Sequence, residues 1–98
     1  MTSKERASLR GQANTIDPLF QVGKGGVSDA VVKQTDEALE ARELIKVKVL
    51  LESSPEKPKE TAILLAEKTS SEVVGVIGGS IILYRYNKEL HKKDKKKK

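Results

Sequence analysis

The run Pro18-Leu19-Phe20-Gln21-Val22-Gly23-Lys24-Gly25-Gly26-Val27-Ser28-Asp29 holds the residues whose types and spacing suggest chemistry. Gly23, Gly25 and Gly26 leave the backbone free to take positive φ and to approach a ligand with no Cβ in the way. Ser28 is a good N-cap for a helix that follows, and helix-start amides with the helix dipole favour an anion. Lys24 adds a mobile positive charge at the tip of the G-x-x-G loop. The chemistry is that of a phosphate site and, with no other candidate chemistry in the chain, of a nucleic-acid backbone. Glycines also suit a tight strand-to-helix connection, so the purely structural role stays open at this point. The pattern is neither the G-x-x-x-x-G-K-[ST] P-loop nor the G-x-G-x-x-G dinucleotide fingerprint.

Other charged residues extend or compete with this loop. Lys4, Arg6 and Arg10 precede it on a basic helix; they are either its solvated side or further phosphate contacts. Arg85, between Tyr84 and Tyr86, either pairs with a carboxylate or meets a phosphate. Lys46 and Lys48 alternate along a strand and read as charges that protect an exposed sheet face or edge. Asp36, Glu37, Glu40 and Glu43 form a run with no histidine or cysteine partner, so they are a solvated face or a surface that repels nucleic acid. His91, the only histidine, lies among the C-terminal lysines and cannot anchor a catalytic triad or a closed metal site. No nucleophile, base and orienting group come together in the sequence, so neither an enzyme nor a small-molecule substrate or cofactor is expected.

The elements that must hold the loop follow from punctuation and period. Thr2 and Glu5 have capping-box spacing, so a helix starts at Ser3 and runs to about Gln12 or Ala13. The residue before Pro18 disfavours helix, and a strand covers Leu19 to Val22. Val31, Val32, Thr35, Ala38 and Leu39 give the next helix one apolar face. From Leu44 to Leu51 the period changes to two, with Ile45, Val47, Val49 and Leu51 on one face. After a proline-marked loop, a third helix runs to Thr69 with Ala62, Ile63, Leu65 and Ala66 as its apolar side. Glu72–Ile77 and Ile81–Tyr86 around Gly78-Gly79-Ser80 read as a β-hairpin. The order α-β-α-β-α-β-β predicts a small four-stranded mixed sheet with packed helices, an α/β fold.

Composition bounds the partners. The 98 residues, 37% of them apolar, make one small domain, and the absence of cysteine excludes a disulfide framework and thiolate metal sites. No apolar run approaches the roughly 18–20 residues that span a bilayer. Met1 to Arg6 has no apolar signal region, so a cytoplasmic location is expected. The net charge of +5 is carried by residues 87–98, where seven lysines oppose Glu89 and Asp94; residues 1–86 are neutral overall. Residues 87–98 are therefore expected to be a disordered lysine-rich tail outside a single domain of residues 1–86. Within the neutral part, residues 1–24 carry +2 and residues 27–45 carry −3, which makes the body a dipole with its basic end near the glycine loop.

Several segments match one pattern together: Val22-Gly23-Lys24-Gly25-Gly26, then Glu37 to Val47, then Val76-Ile77-Gly78 and Ile82-Leu83-Tyr84-Arg85. In this the chain resembles the CRM domain (chloroplast RNA splicing and ribosome maturation), in its stand-alone bacterial YhbY-like form, over about residues 2 to 86. The resemblance implies a fold similar to the C-terminal domain of translation initiation factor three. It implies RNA binding through a basic surface that includes the G-x-x-G loop. It also implies association with ribosomal RNA in precursors of the large ribosomal subunit. The expected RNA contacts are Gly23, Lys24, Gly25, Gly26 and Ser28, with Lys4, Arg6, Arg10 and Arg85, in a protein acting as a monomer. The alternative is a protein-interaction module whose acidic second helix binds a basic ribosomal protein or assembly factor.

Overall fold

A computed structural model of the chain describes residues 2–87. The elements run α1 (Ser3–Ala13), β1 (Gln21–Val22), α2 (Asp29–Arg42), β2 (Leu44–Val49), α3 (Pro58–Thr69), β3 (Glu72–Ile77) and β4 (Ser80–Tyr84). The order is the one that the sequence predicts, and the strands form one four-stranded mixed sheet, β1-β2-β4-β3. β1 pairs parallel to β2 across the α2 connection, while β4 lies antiparallel to both β2 and β3. The lysine-rich segment assigned to a tail, with His91, lies from residue 88 onward outside the described residues.

Each helix starts where its caps dictate. The Glu5 amide donates to Thr2 Oγ1 at 3.1 Å and the Thr2 amide donates to Glu5 Oε1 at 3.0 Å, closing the capping box of α1. The bond from the Thr2 backbone amide and, after it, the Thr2 side chain hold the Glu5 carboxyl below its ordinary pKa. Ser28 Oγ accepts from the Val31 amide at 3.3 Å, so it caps α2 as its residue type suggests. Pro58 opens α3, where a missing N–H costs nothing.

The sheet divides its side chains by strand alternation. Ile45, Val47 and Val49 of β2, with Val22, Ile81 and Leu83, are buried under α2 and α3 with Leu39, Ala62 and Leu65. On the other face α1 covers only a smaller cluster, in which Ala13, Val74 and Ile82 are buried and Leu9, Ile16, Leu44 and Tyr84 pack at the margin. A bulge at Val74 shifts the β3–β4 register between Val73 and Gly75.

Three apolar assignments differ from the sequence expectation. Leu51 does not continue the β2 face. The Ser53 and Ser54 amides both donate to the Leu50 carbonyl, turning the chain and leaving Leu51 66% exposed. Ile63 is exposed because the buried stripe of α3 is Thr61, Ala62, Leu65 and Thr69. Thr69 fits that stripe by donating its hydroxyl to the Leu65 carbonyl at 2.6 Å. The last strand ends at Tyr84, and Tyr86 is exposed rather than paired in the sheet.

Candidate nucleic-acid interface

The G-x-x-G loop joins the end of β1 to the start of α2. The Gly26 amide donates to the Gly23 carbonyl at 2.9 Å and the Ser28 amide to the Gly26 carbonyl at 3.0 Å. Two of the amides expected to grip phosphate therefore point into the loop itself. Gly26 is buried at φ +60°, and a Cβ built there would lie 2.7 Å from Pro55 Cγ and 2.6 Å from Glu56 Oε1. Glycine is required at Gly26 by both conformation and space. Its neighbour Glu56 Oε1 is shielded from solvent and has no hydrogen-bond partner among the described residues. The tip is different. Lys24 and Gly25 are exposed, and a Cβ at Gly25 would meet nothing within 4 Å.

The start of α2 is less open to an anion than the sequence suggests. Ser28 Oγ already serves the Val31 amide, and Asp29 places a carboxylate in the first turn. Its negative charge takes up the favourable end of the helix dipole. What remains outward at this corner is the Lys24 ammonium and the Lys24–Gly25 backbone.

The sheet supplies what the loop alone lacks. Pairing sets Gln21 beside Lys48, Lys48 beside Ser80, and Ser80 beside Ile77, one row across all four strands. Lys48 and Ile82 lie on the same face by alternation, so this row is on the α1 side. It is not covered by α1: Gln21 and Lys48 are exposed and Ile77 is 51% exposed. In the next row stand Lys46, Ile82 and Gly75. Lys46 Nζ donates to the Ala13 carbonyl at 3.4 Å, so it caps the C-terminus of α1 rather than standing as a free charge on an exposed sheet face. Lys48 stands exposed in the open row, a charge on an uncovered sheet face as its alternation with Lys46 suggests.

Arg10 reaches this face from α1. A Cβ at Gly75 would lie 3.0 Å from Arg10 Cδ and 3.2 Å from Cγ, so the arginine stem lies over the glycine. Gly75 is two strands and one row from Lys48, roughly 12 Å by ordinary sheet spacings. Arg6, one helical turn before Arg10, shares its side of α1, whereas Lys4 falls about 120° from Arg10 around the helix. Arg10 and Lys48 thus stand on one open face, and Lys24 stands exposed in the loop at the sheet end nearest Lys48, with Arg6 beyond Arg10 and Lys4 off that side of α1.

Arg85 does not join that face. Its guanidinium donates to Asp36 Oδ1 at 2.6 Å, Glu40 Oε2 at 3.2 Å, the Asp36 carbonyl at 3.0 Å and the Thr69 carbonyl at 2.7 Å. Its side chain is only 19% exposed. Of the two roles open for Arg85 in sequence, the structure shows the carboxylate pair, tying β4 to α2 and to the end of α3. The adjacent Asn87 is buried, its amide donating to Glu43 Oε2 at 2.6 Å and its side chain to the Glu40 carbonyl. Asn87, placed in the tail from sequence, thus packs on α2. Among the described residues no group of three or more His, Cys, Asp or Glu is placed to hold a metal ion. No helix among them is long and apolar enough to cross a membrane.

Comparison with known proteins agrees with this architecture. The CRS1 / YhbY (CRM) domain family is matched over residues 1–85. The "Probable RNA-binding protein YqeI" of Bacillus subtilis is 47% identical over 91% of this chain and 92% of its own length. A relative from Methanocaldococcus jannaschii, also named a probable RNA-binding protein, is 41% identical over 99% of this chain and 75% of its own length. The solution structure of a Staphylococcus aureus protein, described there as a candidate RNA-binding protein, superposes with a TM-score of 0.77. It is 50% identical and is covered over 91% of its length by 90% of this chain.

Proposed function

Because this chain belongs to the CRS1 / YhbY (CRM) domain family, we propose that it binds RNA through the open sheet row and the tip of the GKGG loop. We further propose that the RNA is ribosomal, in precursors of the large ribosomal subunit. The names of the relatives support RNA as the partner. The single observation that carries the surface assignment is the exposed row Gln21–Lys48–Ser80–Ile77, which lies between Arg10 and the loop.

In this reading the Lys24 ammonium and the exposed Lys24–Gly25 backbone hold one phosphate, and Lys48 and Arg10 hold others along the same strand of RNA. Phosphate contacts fix position and carry no base code, so selection rests on RNA shape. The acidic face of α2 lies in the opposite layer and helps to set which side meets the RNA. That helix is a poorer docking surface than its charge suggests, since Arg85 already engages Asp36 and Glu40. The test is a Lys24→Glu, Lys48→Glu double variant. Its affinity for a large-subunit rRNA fragment should fall, and the slope of log K against log salt should flatten by about 0.7–0.9 for each phosphate the variant no longer neutralises. Co-sedimentation with large-subunit precursors should disappear as well. An unchanged salt slope would overturn the proposed surface, and retained co-sedimentation would favour docking through α2.

A further inference from the structure

The sheet end that carries the GKGG loop also carries the β2–α3 turn and the β3–β4 hairpin tip. The Leu50 amide donates to the Val22 carbonyl at 2.9 Å, and the Val49 amide to the Gly79 carbonyl at 2.6 Å, which locks the three together. Between the last two lies a groove of about 460 Å³ lined by Lys48, Leu50, Leu51, Glu52, Ser53 and Gly79. It adjoins the phosphate loop: Leu50 Cδ1 lies 3.3 Å from the Cβ position of Gly23.

We propose that this groove seats an unpaired nucleobase of the bound RNA, guanine in preference to the others. The proposal rests on the RNA-binding reading of the adjoining loop and goes beyond it, because phosphate contacts alone cannot distinguish bases. Three features carry it. Of the six large hydrophobic residues exposed among the described residues, Leu51 is the most exposed at 66%, and Ile77, 51% exposed, stands at this end in the same row as Lys48. A cluster of apolar surface on one corner of a small domain marks a contact site. Leu51 Cγ also stands 3.8 Å from the Cβ position of Gly79, so an aliphatic wall meets a stretch of backbone with no side chain. That wall suits the flat face of a base in a chain with three aromatic residues.

The charges decide between occupants. Lys48 lines the groove and stands in the basic row, so a nucleotide seated here keeps its phosphate on the lysine side. Glu52, in the same lining, repels a phosphate and accepts N–H donors. Guanine presents two adjacent N–H groups, N1–H and N2–H, which match the two oxygens of a carboxylate. Uracil presents one.

The experiment measures fluorescence anisotropy of short single-stranded oligonucleotides, uridine-only or with one central guanosine or one central abasic site, and of a blunt RNA duplex. The proteins compared are the full-length chain and its Leu51→Ser, Glu52→Gln and Lys24→Glu variants. Covering a leucine of this exposure corresponds to about a fivefold change in affinity. Leu51→Ser should weaken the guanosine oligonucleotide about fivefold and leave the duplex unchanged, and the abasic site should reproduce that loss in the unsubstituted protein. Glu52→Gln should reduce the preference for guanosine over uridine. If Leu51→Ser binds the guanosine strand as tightly as the parent while Lys24→Glu does not, the base seat is refuted and the phosphate reading stands. If Lys24→Glu also binds normally, the phosphate reading falls with it. Equal binding of guanosine, uridine and abasic strands by the unsubstituted protein refutes the seat directly. Leu51 is outside the core, so a thermal melt should show all variants folded.

Discussion

Adding one methyl group to Gly26 or to Gly25 separates what the G-x-x-G loop does for the fold from what it does for a ligand. At Gly26 the backbone is left-handed, φ +60°, which costs a residue with a Cβ about 1–2 kcal/mol. The new methyl would also lie 2.7 Å from the ring of Pro55 and 2.6 Å from Glu56 Oε1, where a carboxylate oxygen is already buried without a partner. The glutamate can swing away, but the proline ring is fixed to its backbone, and forced overpacking of this kind costs about 1–3 kcal/mol. Gly26→Ala should therefore lose about 2–5 kcal/mol, a large share of the roughly 5–15 kcal/mol that holds a domain folded. Gly25→Ala meets nothing within 4 Å and has no positive φ. It should be neutral or up to about 1 kcal/mol more stable, through the lower entropy of its unfolded chain. That same methyl stands at the exposed tip where a phosphate must approach the backbone, so RNA affinity should drop several-fold. Urea melts give the first comparison and anisotropy with a large-subunit rRNA fragment the second. A Gly26→Ala protein within about 0.5 kcal/mol of the parent would refute the packing argument. A Gly25→Ala protein with unaltered affinity would show that the loop backbone does not touch RNA.

Other substitutions test the remaining assignments. Arg85→Ala removes bonds to Asp36, Glu40 and the Thr69 carbonyl, and should cost about 2–3 kcal/mol in a urea melt with RNA affinity unchanged. A matching loss of RNA affinity in folded protein would return Arg85 to the interface. Gly75→Ala pushes on the flexible stem of Arg10 rather than on backbone, so stability should change by less than about 1 kcal/mol while RNA binding weakens, as read by melts and anisotropy. The Glu5 carboxyl has a depressed pKa in the fold, so its contribution to α1 is present above the unfolded value of about 4.3 and is lost as pH falls through the lower, folded one. Amide exchange across residues 3–13 should show α1 loosening in that acid window before the sheet does, and Glu5→Gln, which removes the titrating group, should abolish the difference.

Local signals were the legible part. Thr2 with Glu5, Ser28 as an N-cap, and the alternation Ile45-Val47-Val49 depend on neighbours in the chain, and α1 and α2 begin where those residues place them, while β1 is shorter than the expected Leu19–Val22. What depends on distant partners was harder to read. The period-two pattern runs on to Leu51, yet the turn at Leu50 ends the strand because the Ser53 and Ser54 amides need that carbonyl. Ile63 is apolar, but α3 buries Thr61 and Thr69 in its place because the helix is rotated to face α2 and the sheet. The role of Arg85 turned on whether Asp36 and Glu40, far away in sequence, would stand beside it. Lys48 was the largest omission from the candidate site. Its signal was present in the alternation with Lys46, but the two lysines separate only once α1 takes one of them as a cap.

The incomplete cover that α1 gives the sheet explains both points at once. Its apolar side is thin, with Leu9 at the margin and Ala13 buried, enough to close over Val74 and Ile82 but no more. A longer apolar stripe would have drawn the helix across the remaining row, and burying Lys48 unpaired would then have cost far more than the packing returned. The lysine at that place fixes how far α1 can travel across the sheet, and the Lys46 bond to the Ala13 carbonyl marks where it stops. The same residues that limit the small second core therefore leave a charged, open row leading to the loop. If that is the cause of the exposure, Lys48→Leu should stabilise the protein and bring residues of α1 closer to β2, seen as new cross-peaks in nuclear Overhauser spectra. RNA affinity should fall at the same time. An equally open row in that variant would mean that the position of α1 is set elsewhere.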